Sequence, residues 1–340
     1  MNKIEYIYYS NTHLKYFQEQ IIKKMNAERL NERYIELMDK LSSIMLKQGE
    51  PFRAKAYQKA QETIMSFDAD IYSPNDLKNK KGIGKTIFEK LVEYFETGTL
   101  SILEIEKTNP VNILTDIYGI GPKKAKDLVD MGICSVSQLR ENQQLLNKNQ
   151  KLGLKYYEDI LKRIPREEIE EYKTYFEMSL PSGQMEIVGS YRRGAESSGD
   201  IDVIITSNNP ADFENFIENL TKRQIITHIL SKGSTKCLVI SKIPSSNFYR
   251  RVDLLFTSPE EFPFAILYFT GSKIFNTIMR QVAVNNGYTM NEHGIHHMIG
   301  KVKGNKVEQE FKTEKDIFDF LRIEYKHPVE RIDGRSVVFM

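Results

Sequence analysis

A chain of 340 residues exceeds what one hydrophobic core usually serves, so roughly two to four compact units are expected. Hydrophobic residues at 40% and aromatics at 11%, with 28% charged, exclude wholesale disorder, and a formal net charge of only +2 excludes a uniformly basic nucleic-acid binder. Any phosphate affinity must then come from locally clustered Lys and Arg.

No run of roughly 18 apolar residues occurs, so no membrane span is expected. The opening MNKIEYIYYS lacks the apolar stretch and small-residue cleavage site of a secretory signal, and the expected setting is intracellular. Cys134 and Cys237 have no metal-ligand spacing and fit a reducing compartment in which thiols stay unpaired.

In chain order, 1–30 mixes polar and aromatic residues and reads as an extension with no assigned function. From Asn31 to about Gly98 the apolar residues return at helical spacing, as in Tyr34, Leu37, Met38, Leu41 and Met45, which predicts a compact helical domain over 31–105. A second helical stretch, broken by Gly119, Gly121 and Gly132, defines a subdomain over 106–150. After Gln184 short β-branched runs follow (EIVGSY, DIDVIIT, KCLVIS, RRVDLLF), with the helical DFENFIENL between them. This predicts an α+β region with a largely antiparallel sheet over 151–259, followed by a last subdomain over 260–340.

One short motif occurs twice, as Gly82-Ile83-Gly84-Lys85 and Gly119-Ile120-Gly121-Pro122-Lys123, each followed by a helical pattern. Two glycines around one apolar residue permit a tight hairpin, and the helix after it presents free backbone amides to an anion. A single copy reads better as a plain helix-to-helix turn with solvated lysines; two copies reverse that preference. The repeat resembles the helix-hairpin-helix element, which grips DNA phosphates without reading bases. Related hairpins hold a monovalent cation, Na+ or K+, which implies Thr115, Ile117 and Ile120 around such an ion.

The richest segment is Gly189-Ser190-Tyr191-Arg192-Arg193-Gly194, followed by Gly199-Asp200-Ile201-Asp202-Val203. Residues two apart in a strand share a face, so Asp200 and Asp202 are expected to point the same way and form a hard-oxygen site. Mg2+ suits it, since it binds through one or two carboxylates plus substrate phosphates. Asp253 lies in a second apolar run, where a charge is costly without a partner or ion, and the three aspartates converge if the strands are neighbours. Ser190 and the Arg193 fork suit the phosphates of an incoming nucleotide. A lone Asp-x-Asp reads better as a polar surface turn, whereas the whole constellation favours two-ion nucleotidyl transfer.

Gly189 to Val203 resembles the nucleotidyltransferase signature of the family X DNA polymerases. Leu230-Ser231-Lys232-Gly233, Arg250-Arg251-Val252-Asp253, Tyr268-Phe269-Thr270-Gly271-Ser272 and Glu314 to Asp319 match the beta type of that family in order and approximate spacing, from about residue 31 to 331. The resemblance implies a helical lyase-like domain with helix-hairpin-helix motifs and a nucleotidyltransferase palm on a mixed, largely antiparallel sheet. It implies a monomer that carries out templated gap filling in base excision repair, acting on gapped or nicked double-stranded DNA with deoxynucleoside triphosphates, and the nucleus as the expected compartment.

Asp200, Asp202 and Asp253 are then the ligands of two Mg2+ ions, with Mn2+ as a substitute, and Asp253 a candidate acceptor for the 3′-hydroxyl proton. Lys151, Ser190, Arg193 and Gly199 match triphosphate contacts, with Lys151 standing where the beta type has Arg. Tyr268, Phe269, Gly271 and Asn276 match residues around the nucleotide sugar and base, and Arg280 a template contact. Lys273 replaces an acidic residue. Leu255 replaces an arginine that pairs with a catalytic aspartate in the inactive state, so that switch is expected to be absent.

Lys90 aligns with the Schiff-base lysine of a 5′-deoxyribose phosphate lyase, with Arg53, Lys55, Tyr57, Lys59 and Lys85 around the 5′-phosphate. Phe52-Arg53 stands where a His-Lys pair is usual, and Thr86 replaces a lysine. The competing readings are a nucleotidyltransferase for another acceptor such as RNA, a non-catalytic DNA-end binder and a template-independent terminal transferase. The paired hairpins, the intact aspartates and the short linker before Arg250 argue against each in turn. The His293, His296, His297 cluster reads as strand and turn rather than a metal site.

Overall fold

The computed structural model describes residues 29–67, 69–300, 302–331 and 334–340, so the extension expected over 1–30 lies almost wholly outside the described residues. The chain divides into two compact units, Met1–Lys151 and Leu152–Met340.

The described part of the first unit is helical. The helix Asn31–Lys47 buries Tyr34, Leu37, Met38, Leu41 and Met45, the stripe its spacing predicts. It packs on Pro51–Met65, which buries Ala54, Tyr57, Ala60 and Ile64. Gly98, left-handed at φ 76°, ends the helix Lys85–Thr97. The first hairpin turns at Gly82 (φ 94°) with Ile83 buried beneath it, and Thr63 Oγ1 donates to the Lys81 carbonyl at 2.7 Å. The second turns at Gly119 (φ 83°), buries Ile120 and leads into the helix Pro122–Asp130. Both glycines adopt the left-handed region that a side chain disfavours.

The second unit is built on a five-stranded sheet. Its strands are β2 (Gln184–Ile187), β4 (Ile201–Thr206), β5 (Ile226–Lys232), β6 (Lys236–Ser241) and β7 (Arg250–Thr257), in the order β2-β4-β7-β6-β5. A short antiparallel pair, β1 (Ile164–Pro165) with β3 (Ser197–Ser198), forms a separate two-stranded sheet. Only β4 and β7 are parallel; the other pairs are antiparallel, as the sequence pattern predicts.

Ile201, Val203 and Ile205 of β4 share a core with Tyr172 and Phe176 of Arg166–Ser179 and with Phe213, Phe216 and Leu220 of Ala211–Lys222. Ile204, on the opposite face, packs with Val188 and Ala265 of the helix Phe262–Thr270. A strand buried on both faces reads as a continuous apolar run, which is why a carboxylate inside it stands out.

The remaining chain forms a three-stranded antiparallel sheet, β8 (Tyr288–Asn291), β9 (Gly294–Ile299) and β10 (Val302–Lys306), with the helices Lys273–Asn285 and Glu314–Leu321. Phe264, Phe275, Met279, Phe311 and Phe318 are among its core residues. Among the described residues no helix is long and apolar enough to cross a membrane.

Candidate active site

The parallel pair sets the site, because its register places Asp202 directly opposite Asp253. Ile201, Val203, Val252 and Leu254 on either side are turned into the core, so the pleat sends both carboxylates to the other face. Asp200 departs from expectation: it lies in a bend one residue before β4, outside the strand. EIVGSY departs as well, since the strand stops at Ile187 and Gly189–Arg192 is one helical turn, made possible by Gly189 at φ 67°.

Burial acts on both carboxylates, and the Asp253 charge adds to it at Asp202. Asp202 is pushed up to about 6, chiefly by burial and then by the Asp253 charge, with Lys236 opposing. Burial likewise raises Asp253, with Arg251 and Lys236 pulling the other way. Asp253 Oδ1 is buried and makes no hydrogen bond. A desolvated, unsatisfied carboxylate oxygen beside a second carboxylate is a donor set that fits a small divalent cation.

Among the described residues, however, no three acidic, His or Cys side chains gather closely enough to hold a metal ion. Arg251 lies among the aspartates: its Nη2 pairs with Asp200 Oδ2, and its Nε lies 3.5 Å from Asp253 Oδ1. A guanidinium thus bridges two of the three carboxylates. Leu255 is apolar as the sequence states, yet an arginine still engages one of the candidate aspartates, from four residues earlier on β7.

The glycine turn packs onto this pair. A Cβ at Gly189 would sit 3.3 Å from Asp202 Oδ2, and the Val188 amide donates to the Asp202 carbonyl at 2.9 Å. Ser190 Oγ lies 2.8 Å from Ser198 Oγ. Arg193 reaches the end of the helix Phe262–Thr270, donating through Nη1 to the Thr270 carbonyl, and a Cβ at Gly271 would lie 3.2 Å from the same nitrogen. The phosphate and sugar segments singled out in the sequence therefore meet. Asn276 Nδ2 donates to the Tyr268 carbonyl at 2.5 Å, the Tyr268 and Phe269 rings meet edge-on at 5.1 Å, and Tyr268, Asn276 and Arg280 line one small cleft. Gly199 lies beside Arg163, with 3.6 Å from a Cβ to Nη1.

The remaining residues belong to the first unit. Lys90 is half-buried on the helix Lys85–Thr97, and Lys151 is exposed on Lys148–Lys155. Tyr57 is buried, and burial raises its phenol. Lys85 is exposed and 4.0 Å from Glu89. Thr115, Ile117 and Ile120 share the turn before the second hairpin, where the Ile117 carbonyl accepts from the Ile120 amide at 3.0 Å.

Four family models match in succession: a helix-hairpin-helix domain over 29–100, the fingers domain of DNA polymerase lambda over 112–161, the DNA polymerase beta palm over 163–259 and the beta thumb over 265–332. The chain belongs to the family X DNA polymerases. It is 30% identical to DNA polymerase lambda of Arabidopsis thaliana and 31% identical to that of Rattus norvegicus, over 89% and 90% of this chain. It is also 30% identical, over 82% of its length, to the DNA polymerase/3′-5′ exonuclease PolX of Bacillus subtilis. The chain spans 62%, 57% and 51% of the lengths of these three relatives. Membership thus stands at the level of family X, and the narrower beta resemblance gives way to a mixture of beta-type and lambda-type matches.

Sequence reasoning missed three features of the candidate site. Arg251 was legible as a charge next to Asp253, but its partners depend on the approach of the loop before β4. Lys236 acts on the aspartates because β6 pairs with β7, which no local pattern states. Glu314 joins Arg192 (2.9 Å) and Arg331 (2.5 Å) behind the Gly189–Arg192 turn, linking segments more than one hundred residues apart.

Proposed function

We propose that the chain is a templated DNA polymerase that fills short gaps in repair, by nucleotidyl transfer at Asp200, Asp202 and Asp253. The observation that carries this reading is the in-register Asp202–Asp253 pair, desolvated and backed by the Gly189 turn. Divalent ions, Mg2+ with Mn2+ as a substitute, would supply charge neutralisation at the reacting phosphate and lower the pKa of the attacking hydroxyl. Asp200, Asp202 and Asp253 would hold them, once Arg251 gives up its two carboxylates.

The chain's own groups do the rest. Ser190 and the backbone of the Gly189 turn bind triphosphate oxygens, and Arg193, with Gly199 and Lys151, adds positive charge and orientation. Tyr268, Phe269, Gly271 and Asn276 enclose the sugar and base, the backbone at Tyr268 meeting a 2′-hydroxyl. Asp253 accepts the proton of the primer 3′-hydroxyl. The two hairpins hold DNA backbone, with a monovalent cation at Thr115, Ile117 and Ile120. The expected assembly is a monomer on gapped or nicked DNA, and the expected compartment is the nucleus.

The test is primer extension on gapped DNA with Mg2+. Asp202→Ala and Asp253→Ala should each reduce nucleotide addition by about a thousandfold or more while leaving DNA binding near normal. Near-normal turnover by either variant at saturating Mg2+ would refute the assignment.

A second activity, 5′-deoxyribose phosphate lyase, rests on the alignment of Lys90, half-buried on the helix Lys85–Thr97, with the Schiff-base lysine of that reaction. Borohydride should trap a covalent adduct on pre-incised abasic DNA, and Lys90→Ala should lose most of it yet still extend primers. Undiminished trapping in Lys90→Ala would exclude Lys90 as the principal nucleophile.

A further inference from the structure

The second hairpin is tied to the helix bearing Lys151 by one buried side chain. Gln150, 9% exposed, uses both ends of its carboxamide: Nε2 donates to the Gly119 carbonyl at 2.9 Å, and Oε1 accepts from the Asn147 amide at 3.0 Å. Asn147 returns the contact, its Oδ1 accepting from the Gln150 amide at 2.9 Å. Hairpin and first helical turn thus share one closed network, spanning thirty-one residues of sequence.

The approach is close. A Cβ at Gly119 would lie 3.3 Å from Gln150 Cγ and 3.6 Å from its Cα, and the residue sits at φ 83°. A side chain at Gly119 would require Gln150 to give way by a few tenths of an ångström and would strain its own backbone. Lys151 follows directly, its amide donating to the Asn147 carbonyl at 3.0 Å and its side chain exposed. A shift of the Gly119 carbonyl therefore disturbs Gln150 and, through Asn147, the first turn of the helix that carries Lys151.

We propose that Gln150 is a positioning residue that couples DNA held at the second hairpin to the placement of Lys151 on the nucleotide triphosphate. The coupling rests on the reading of Lys151 as a triphosphate contact. Gln150 touches neither DNA phosphate nor nucleotide; it acts through its neighbour. Gln150→Glu keeps the length of the side chain and its acceptor for Asn147, but sets an acceptor against the Gly119 carbonyl in place of the donor.

The experiment compares the unmodified protein, Gln150→Glu, Lys151→Ala and the double variant on gapped DNA, measuring KM for the nucleotide, kcat and melting temperature. Each single change should raise KM about tenfold with kcat within about twofold, and the double variant should be no worse than Lys151→Ala within about twofold. Multiplicative KM effects in the double variant would overturn the coupling. So would an unchanged KM in Gln150→Glu, whether or not its melting temperature falls, and so would an unchanged KM in Lys151→Ala. Absence of extension by the unmodified protein would sink the polymerase reading and this one with it, whereas multiplicative effects sink this one alone.

Discussion

Asp202, proposed as a catalytic carboxylate, carries a cost in stability. Its carboxyl is raised to about 6 by burial and by Asp253, so the folded state holds a proton that the unfolded chain releases near the ordinary value of 3.8. Stability from this group is fully present below that ordinary value and is lost as pH rises through about 6. The loss is at most about 3 kcal/mol, since each tenfold change in proton affinity is worth about 1.4 kcal/mol. In the presence of a chelator, Asp202→Asn should therefore be more stable than the unmodified protein at neutral pH, and the two should converge as the pH falls towards the ordinary carboxyl value, read by urea unfolding. A constant difference across that range would show that the carboxyl titrates normally.

At the scale of elements, Glu314 fastens the helix Glu314–Leu321 to the turn Gly189–Arg192 and to Arg331. Arg331 is fully buried, with Phe275, Phe318 and Tyr325 rings around its guanidinium at 5.3 to 5.8 Å. The two arginines hold the Glu314 carboxyl below its usual range against the opposing effect of burial. Removing the charge leaves the fully buried Arg331 guanidinium without the Glu314 carboxylate, while Arg192 keeps Glu186 at 2.9 Å. Glu314→Gln should cost about 3 kcal/mol of unfolding free energy, because breaking one side of a buried ion network strands the other. A loss below about 1 kcal/mol would mean that the network is solvated and behaves as a surface pair.

At the scale of the molecule, the chain has one helical unit with a glycine hairpin at each of two places and a second unit that carries the aspartates. If both hairpins grip phosphate as proposed, they suit a substrate with DNA on both sides of the reaction point. A short gap bearing a 5′-phosphate should be extended with higher kcat/KM than an open primer-template, by about tenfold or more at low salt, and the advantage should shrink as salt screens the contacts. Equal efficiency on both substrates would remove the argument for a downstream grip.

The amino-acid sequence by itself determined the helical first unit, the α+β second unit, both hairpins and the three aspartates, because each is written in local periodicity, paired glycines or a charge inside an apolar run. Asn31 to Met45 and Ile201 to Thr206 show this plainly, one at helical and one at strand spacing. What only the tertiary structure decided is who faces whom. The parallel pairing of β4 with β7 put Asp202 against Asp253, although about fifty residues separate them. Arg251 came to bridge Asp200 and Asp253, Glu314 to join Arg192 and Arg331, and Gln150 to hold Gly119. Most of those contacts join residues distant in the chain, and their energies come from desolvation and close approach, which arise only once the backbone has folded.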